Sequence, residues 1–161
     1  MQGMGWKIAL LALAVFAIAA ATSELQRASG QPSNSMVTLT KAATIRVDRP
    51  PRANSGAFID VGVRAYTPPT RGGVEAVVTL SASAGDRKQE IGRFTIFPNA
   101  PFVANNTAQE RTFRLDATAA LSAFAWPIGP VEVNVALDRL VPDTSDDARL
   151  TVGRIASQPR T

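Results

Sequence analysis

The stretch Gln89–Phe124, QEIGRFTIFPNAPFVANNTAQERTFRLDATAALSAF, determines how the rest of the chain is interpreted. Apolar and polar residues alternate in its first part, and the run stops at Pro98-Asn99, a pair that ends strands. After a loop, residues 112–115 alternate again, which predicts a second strand. Asp116 then stands where an N-cap would open an alanine-rich turn over 117–124. The stretch therefore predicts two strands, a proline-bracketed loop and one short helix.

Alternating segments continue on both sides of this stretch. The clearest is Val131–Asp138, in which Val131, Val133, Val135 and Leu137 are predicted to face inward. The other predicted strands are Val37–Val47, Ala57–Tyr66, Val74–Ala84 and Leu150–Ile155, the last with a bulge at Gly153. Turn signals recur along the chain, and no helical pattern is long enough for the crossovers of a parallel sheet. We therefore predict an all-β fold, an antiparallel β-sandwich or barrel of about seven strands with one short helix.

The N-terminus has the pattern of an export signal. A basic start ending at Lys7 precedes an apolar run, and the alanines before Thr22 offer a small-residue cleavage site. We predict a signal peptide over residues 1–21, a flexible linker over the polar and aperiodic residues 22–36, and a single β-domain over 37–161. The alternative is an uncleaved anchor helix, which the shortness of the apolar run disfavours. The mature protein is expected to be periplasmic or secreted, with no membrane attachment after cleavage.

Two residue types are missing from the sequence, which contains neither cysteine nor histidine. Common zinc, copper and haem sites are built from thiolates and imidazoles, and a Ser-His-Asp arrangement needs imidazole as its base. We therefore predict no catalytic residue, no metal site and no cofactor, and we expect the isolated chain to bind no copper tightly and to oxidise no phenol. Carboxylate chemistry stays open, with Asp60, Glu75 or Asp116 as candidates, although no pattern places two acids in a pair.

The positive charge of the chain does not indicate nucleic-acid binding. The formal charge of +4 comes from 17 basic and 13 acidic residues, and most arginines are scattered singly among acids and apolar residues. Nucleic-acid-binding proteins gather their basic residues on one face or in runs. The scattered pattern is typical of a solvated surface, so we predict no nucleic-acid partner.

Several segments resemble a known domain in the same order along the chain. They are Gly92-x-Phe94-x-x-x-Pro98, Phe113-Arg114-Leu115 running into the short helix, Val131–Pro142, and Leu150–Ile155. Together they are similar to the C-terminal domain of plant-type polyphenol oxidases, which is named for a Lys-Phe-Asp-Val motif. Phe58-Ile59-Asp60-Val61 stands where that motif would fall, so Asp60 and Val61 match while the lysine and phenylalanine positions differ. The resemblance covers residues 43 to 156.

This resemblance implies a non-catalytic role. In the family the domain follows a tyrosinase-like domain with two histidine-bound coppers, covers its entrance, and is removed or displaced on activation. The oxidase part is missing from this sequence. A free-standing, exported version would act on a separate tyrosinase-like copper oxidase, either as a shield or as a folding helper.

A loop of the opening stretch is the candidate contact with such a partner. Phe97 and Phe102 flank Pro98-Asn99-Ala100-Pro101, and two prolines restrict the conformations of a loop and reduce the cost of ordering it. One hypothesis is that an aromatic ring of this loop inserts into the partner's copper pocket as a plug. The alternative is that both rings fold back into core or strand-end packing, as buried aromatics commonly do.

A second function class remains open from the sequence. A generic periplasmic β-sandwich that binds carbohydrate or a cell-surface partner would show the same strands and would expose an aromatic platform. Tyr66 and Trp126 invite that interpretation, but single aromatics beside proline-rich corners are typically core residues. A neighbouring gene for a tyrosinase-like oxidase would favour the shielding hypothesis over this one.

Overall fold

Among the described residues, the sandwich consists of two antiparallel sheets, one short α-helix and a 3-10 turn at Thr107–Gln109. The computed structural model describes residues 32–50, 56–82 and 87–160, so the predicted signal peptide and residues 22–31 of the predicted linker lie outside the described residues. The strands and the helix are β1 (Pro32–Val37), β2 (Ala43–Val47), β3 (Ala57–Thr67), β4 (Val74–Ala82), β5 (Lys88–Phe94), β6 (Phe102–Val103), β7 (Arg111–Asp116), α1 (Thr118–Ala123), β8 (Val131–Arg139) and β9 (Arg149–Pro159).

The strands divide between the sheets in an order that differs from their order in the chain. In the first sheet β9 lies between β1 and β3, and the far edge of β3 pairs with β7 along most of its length and with β6 near its end. The order in the second sheet is β2-β8-β4-β5. This arrangement confirms the predicted all-β class, with β1 and β6 added to the predicted strands.

The core lies between the two sheets and is built by alternate residues of the long strands. Val131, Val133, Val135 and Leu137 of β8 are buried and the residues between them are not, as their alternation predicted. On the facing sheet, Ile59, Val61 and Val63 of β3 are fully buried. Apolar area removed from water in this layer provides the main stabilisation of the fold. Further large side chains that are fully buried in this core are Leu80, Leu121, Leu150 and Ile155.

The two strands of the opening stretch close one open side of the sandwich. Phe94 at the end of β5 and Phe113 on β7 belong to different sheets, and their rings stack with centroids 3.9 Å apart and planes 11° apart. Helix α1 follows β7 and buries Ala120 and Leu121 in the core. The edges of a sheet leave backbone groups unpaired, and the space between two sheets is open there. The stacked rings of Phe94 and Phe113 and the helix α1 cover this opening and shield the core from water.

Four connections cross between the sheets at one end of the sandwich, which we call the crossover end. They are the β1–β2 turn, the β3–β4 loop (residues 68–73), the β5–β6 loop (residues 95–101) and the β8–β9 loop (residues 140–148). The register of the strands places them together, because Thr67 faces Arg149 and Val74 faces Arg139. The opposite end carries α1 and the connection into β8.

The structure corrects two predicted boundaries near the start of the domain. The predicted linker extended to residue 36, but β1 begins at Pro32 and pairs with β9. The predicted strand Val37–Val47 is interrupted, since Thr38 and Lys41 form a tight turn in which the Thr38 N–H donates to the Lys41 carbonyl at 2.9 Å. The physical reason is that the chain leaves one sheet here and enters the other. The polar composition of β1 hid a strand whose partner is more than a hundred residues away.

The helix and the bulge lie where the sequence predicted them, but the N-cap residue is Ala117 and not the predicted Asp116. Helix α1 covers all but the end residues of the predicted span, and the Asp116 carboxylate accepts a hydrogen bond from the Thr118 N–H at 2.9 Å, although Ala117 is the N-cap residue. Hydrogen bonding to the Thr118 side chain, then to its N–H, and the charge of Arg160 together hold the pKa of Asp116 below its ordinary value. At Gly153 the register of β3 and β9 shifts, which confirms the predicted bulge.

Candidate partner-binding loop and the bulged sheet

The β5–β6 loop separates the two phenylalanines that the sequence singled out. The Phe97 side chain is 90% exposed, whereas Phe102 is half-buried and packs against the core. Ile96, directly before Phe97, is buried and anchors the start of the loop. The sequence left open whether these rings project or fold back. In the structure the two rings take different positions, since Phe97 projects into solvent and Phe102 packs inward.

Side chains from two neighbouring strands hold this loop in place. The Tyr66 hydroxyl of β3 donates to the Asn99 side-chain oxygen at 2.9 Å, and the Arg111 guanidinium of β7 donates to the Phe97 carbonyl at 3.2 Å. The same guanidinium lies 4.2 Å above the centre of the Phe102 ring, within the range of a cation–π contact. Burial raises the pKa of Tyr66, so its hydroxyl stays protonated and remains a donor near neutral pH.

The remaining loop residues that the sequence singled out are on the surface. Pro98, Asn99 and Pro101 are exposed, and the Ala100 N–H donates to the Pro98 carbonyl at 2.8 Å, which closes a tight turn. The backbone carbonyl of Phe97 and the side chain of Asn99 thus both have partners outside the loop. The loop therefore presents the Phe97 ring from a hydrogen-bonded base. Whether this loop binds a partner stays a prediction.

Asp60 and Val61, the family-motif matches, lie on opposite faces of β3. Val61 is fully buried in the core. Asp60 points to the outer face, where its two oxygens accept hydrogen bonds from Arg114 of β7 at 2.7 and 2.8 Å. This bidentate contact raises the pKa of Arg114 and joins β3 to β7 by side chains as well as by backbone. Asp60 therefore has a direct structural partner.

The candidate acids of a carboxylate-only hydrolase do not converge. Glu75 lies on β4 in the second sheet and pairs with Arg93 at 2.7 Å. Asp60 and Asp116 share the first sheet, but each contacts its own arginine, Arg114 and Arg160 respectively. Paired carboxylates of glycoside hydrolases face one another across the bond that is cleaved. The described residues do not bring these three acids into such an arrangement.

The aromatic residues that favoured a carbohydrate platform belong to the core. Tyr66 is only 3% exposed. Trp126 packs against the core, and its indole N–H donates to the Pro50 carbonyl at 3.3 Å. The interpretation of these two residues as core residues is thus confirmed. Neither provides an open stacking surface.

Sequence reasoning missed Glu110, which caps the bulge of the first sheet. Its carboxylate accepts a hydrogen bond from the Arg154 N–H at 3.1 Å and lies directly above Gly62 and Gly153. A β-carbon on Gly62 would approach the Arg154 carbonyl oxygen to 2.9 Å, and one on Gly153 would approach the Glu110 carboxyl carbon to 2.5 Å. The two glycines in strands were the sequence signal for this close approach.

An open cavity of about 340 Å³ lies beside this carboxylate on the outer face of the first sheet. Its walls are mainly polar and come from β3, β7, β9 and the turn before β7; they are Asp60, Gly62, Thr107, Ala108, Glu110, Thr112, Arg154, Ala156 and Gln158. Both of its carboxylates already have hydrogen-bond partners, Asp60 in Arg114 and Glu110 in the Arg154 backbone. Both carboxylates of the cavity thus already take part in structural hydrogen bonds.

The β3–β4 and β8–β9 loops are bound tightly to each other at the crossover end. The Leu140 N–H donates to the Gly73 carbonyl at 2.9 Å, and the Ser145 N–H donates to the Arg71 carbonyl at 3.0 Å. Thr144 is buried between the loops, and its hydroxyl donates to the Val141 carbonyl at 2.8 Å. These bonds make the two loops one rigid unit.

The described residues contain neither a cluster of metal ligands nor a membrane-spanning helix. No group of three or more His, Cys, Asp or Glu residues within 32–50, 56–82 and 87–160 is arranged to hold a metal ion. In the same part of the chain, no helix has the length and apolar character needed to cross a membrane.

Comparisons with known proteins give similarities of fold. No family model matches the chain, and no curated protein matches it significantly. Among solved structures, a latent aurone synthase (polyphenol oxidase) from natural source has 16% sequence identity and a TM-score of 0.48 over 75% of this chain and 25% of its own. The recombinantly expressed latent aurone synthase has 15% identity and a TM-score of 0.47 over 82% of this chain and 28% of its own. The VP2 subviral particle of infectious bursal disease virus follows at 10% identity and a TM-score of 0.33.

The chain spans about a quarter of the length of the aurone synthase chains that it matches. At these identities the similarity concerns the fold alone, and it shows neither the family nor the function of this chain. The established conclusion is an all-β sandwich with a rigid crossover end and one projecting aromatic ring.

Proposed function

We propose that this chain is a non-catalytic exported domain that docks on a separate tyrosinase-like copper oxidase and shields its pocket or assists its folding. The sequence resemblance to the C-terminal domain of polyphenol oxidases supports the kind of partner. The single observation that carries the proposal is the Phe97 ring, which is 90% exposed on a loop held by Tyr66 and Arg111. Phe97 is the residue proposed to enter the partner's pocket.

The physical argument starts from the cost of exposing this ring. Burying a large aromatic side chain removes much apolar area from water and stabilises the fold. A ring that is almost fully exposed does not contribute this stabilisation. Phe102, at the other side of the same loop, does pack inward. Aromatic residues are enriched among those that dominate the binding energy of protein interfaces. An exposed ring beside a packed one is therefore consistent with selection for contact with a partner.

The hydrogen bonds of the loop support the same proposal. Ordering a loop on binding costs free energy, and a loop that is already ordered in the free protein avoids that cost. The Tyr66–Asn99 and Arg111–Phe97 contacts restrain both sides of the turn at Pro98. The ring is then presented in a narrow set of orientations, which favours insertion into a preformed pocket.

The test compares Phe97→Ser with Phe102→Ala in the mature chain. The assay is inhibition of phenol oxidation by a tyrosinase-like copper oxidase from the same source, with thermal melts of the inhibitor alone. Phe97→Ser should weaken inhibition by about 30-fold or more, the scale of losing one dominant interface residue, and should change stability by less than about 0.5 kcal/mol. Phe102→Ala should cost about 2 kcal/mol of stability, roughly half the cost at a fully buried phenylalanine.

The outcomes distinguish the proposal from the carbohydrate-binding hypothesis, and they distinguish shielding of the pocket from assistance in folding. Unchanged inhibition by folded Phe97→Ser would eliminate this ring as the plug. If wild-type chain fails to inhibit the folded oxidase but raises its copper content on co-expression, the folding-helper mode holds. If it does neither and instead binds glycans in a manner that depends on Phe97, the carbohydrate-binding hypothesis replaces this one.

A further inference from the structure

The crossover end carries a second apolar contact besides the β5–β6 loop. Among the described residues, the large apolar side chains that are exposed are Met36, Phe97, Val103, Ile128, Leu140 and Val141. Phe97 belongs to the β5–β6 loop and Val103 to the strand that follows it, while Leu140 and Val141 begin the β8–β9 loop. Ile128 lies at the opposite end, before β8. Exposed apolar side chains gathered at one end of a domain are typical of an interaction surface.

The loop with Leu140 and Val141 is as firmly held as the loop with Phe97. Gly72 has φ +78°, and a β-carbon there would lie 2.8 Å from the Thr144 α-carbon, so close packing of the two loops requires glycine. The Gly73 N–H also donates to the Thr144 hydroxyl at 3.3 Å. The backbone of Leu140 and Val141 is held by hydrogen bonds, so their side chains are exposed in an ordered part of the fold.

The charges at this end are not balanced. Asp143 contacts Arg71 and Asp146 contacts Arg139, so these charges are paired. Asp147 accepts hydrogen bonds from neutral groups of Thr70 and Ser145 and keeps its negative charge. Lys41 in the β1–β2 turn and Arg149 at the start of β9 have no carboxylate within ion-pair distance among the described residues. These two cations outnumber Asp147, the one carboxylate of these loops without a cationic partner among the described residues, so the end presents apolar side chains together with a small excess of positive charge.

We infer that the crossover end is one docking face, in which Leu140 and Val141 form a second apolar contact and Lys41 and Arg149 meet carboxylates on the partner. The inference rests on the proposed function and defines the partner's surface further: its occupant is a protein with an apolar pocket whose rim is acidic. Complementary charge on a rim mainly increases the rate of association and makes it sensitive to salt. The apolar contacts mainly determine how slowly the complex dissociates.

The test uses the copper-loaded tyrosinase-like oxidase as the probe and surface-immobilised mature chain as the binder. Leu140→Ser/Val141→Ser should weaken affinity by about tenfold, mostly through faster dissociation. Ile128→Ser is the control, because it removes an even more exposed apolar side chain at the opposite end, and it should leave affinity unchanged. Arg149→Glu should slow association and reduce its dependence on salt. Val141→Ser alone keeps the Leu140 packing on Gly73 and so controls for misfolding.

The outcomes distinguish a failure of the docking face from a failure of the proposed function. If Phe97→Ser weakens binding while Leu140→Ser/Val141→Ser and Arg149→Glu bind like wild type, the docking face is refuted and the proposed function stands. If none of the variants alters binding, the docking face and the Phe97 plug are both refuted. If wild-type chain neither binds the oxidase nor raises its copper content on co-expression, the proposed function is refuted with them. Protection from hydrogen exchange in the complex over residues 95–101 and 140–148, without protection at 127–130, would support the inference independently.

Discussion

Replacing Gly153 by alanine should destabilise the domain much more when Glu110 is present than when it is absent. The added carbon would lie 2.5 Å from the Glu110 carboxyl carbon, closer than real contacts permit. The Glu110 side chain is the flexible partner in this collision, so it must move away. When it moves, the Arg154 N–H at the bulge loses the carboxylate oxygen that it contacts at 3.1 Å.

The expected loss of stability follows from one hydrogen bond, between the Arg154 N–H and the Glu110 carboxylate, which both substitutions remove. A net hydrogen bond at a partly exposed position contributes about 1 kcal/mol to the free energy of unfolding. Gly153→Ala and Glu110→Ala should each cost about that much. Since the same bond cannot be lost twice, the double variant should cost about 1 kcal/mol instead of 2, a coupling of about 1 kcal/mol. The smaller unfolded-state entropy of alanine is present in both backgrounds and cancels in the cycle.

Urea unfolding of the four proteins measures this coupling directly, provided that the m-values agree. The corresponding shift in melting temperature is about 3 to 5 °C for a domain of this size. Gly129→Ala is the control for the glycine-to-alanine change itself, because no atom lies within 4 Å of its added carbon. If the two single costs add to within about 0.5 kcal/mol in the double variant, the carboxylate does not cap the bulge and the reasoning is wrong.

Two further predictions concern stability. Val133→Ala should lower the free energy of unfolding by about 1 to 3 kcal/mol because Val133 is fully buried. Asn134→Ala should cost less, because this variant loses only an exposed hydrogen bond to Thr44. Thermal melts that rank Asn134→Ala as the less stable variant would contradict the inward assignment of β8. Hydrogen bonds from Ser145 and then Thr70 hold the pKa of Asp147 well below its ordinary value of 3.8, so its contribution to stability is present above that value and is lost as the pH falls below it. The stability difference between wild type and Asp147→Asn, measured by urea unfolding, should be constant near neutral pH and shrink below about pH 4; a difference that grows on acidification would contradict this sign.

Much of the fold follows from patterns within single segments. The alternation in β8 and β3 predicted which residues are buried, because successive side chains of a strand point to opposite faces wherever the strand is placed. Gly153 in an alternating run predicted the bulge, since a strand glycine marks irregular pairing or close approach. The proline-bracketed loop was predicted to follow a strand, and it does, although that strand ends at Phe94 and not at Phe97. The aromatic residues of the loop were identified as candidates.

Other features depend on partners distant in the sequence and were missed. β1 is polar and β6 has only two residues, and both are strands because β9 and β3 supply their hydrogen bonds. Glu110 gave no local sign of its role, because the N–H that it caps lies 44 residues further along the chain. The prediction of a linker through residue 36 failed for the same reason.

The sequence by itself determined the all-β class, the faces of the long strands and the loop that carries the candidate residues, since these depend on periodicity and on local turn chemistry. Only the tertiary structure decided that Phe97 projects while Phe102 packs inward. The two rings flank the same prolines and are locally equivalent. Their difference arises from Arg111 and Tyr66, which β7 and β3 bring to the loop from other parts of the chain. Contacts between distant segments, and not local preference, therefore determine which ring is available to a partner.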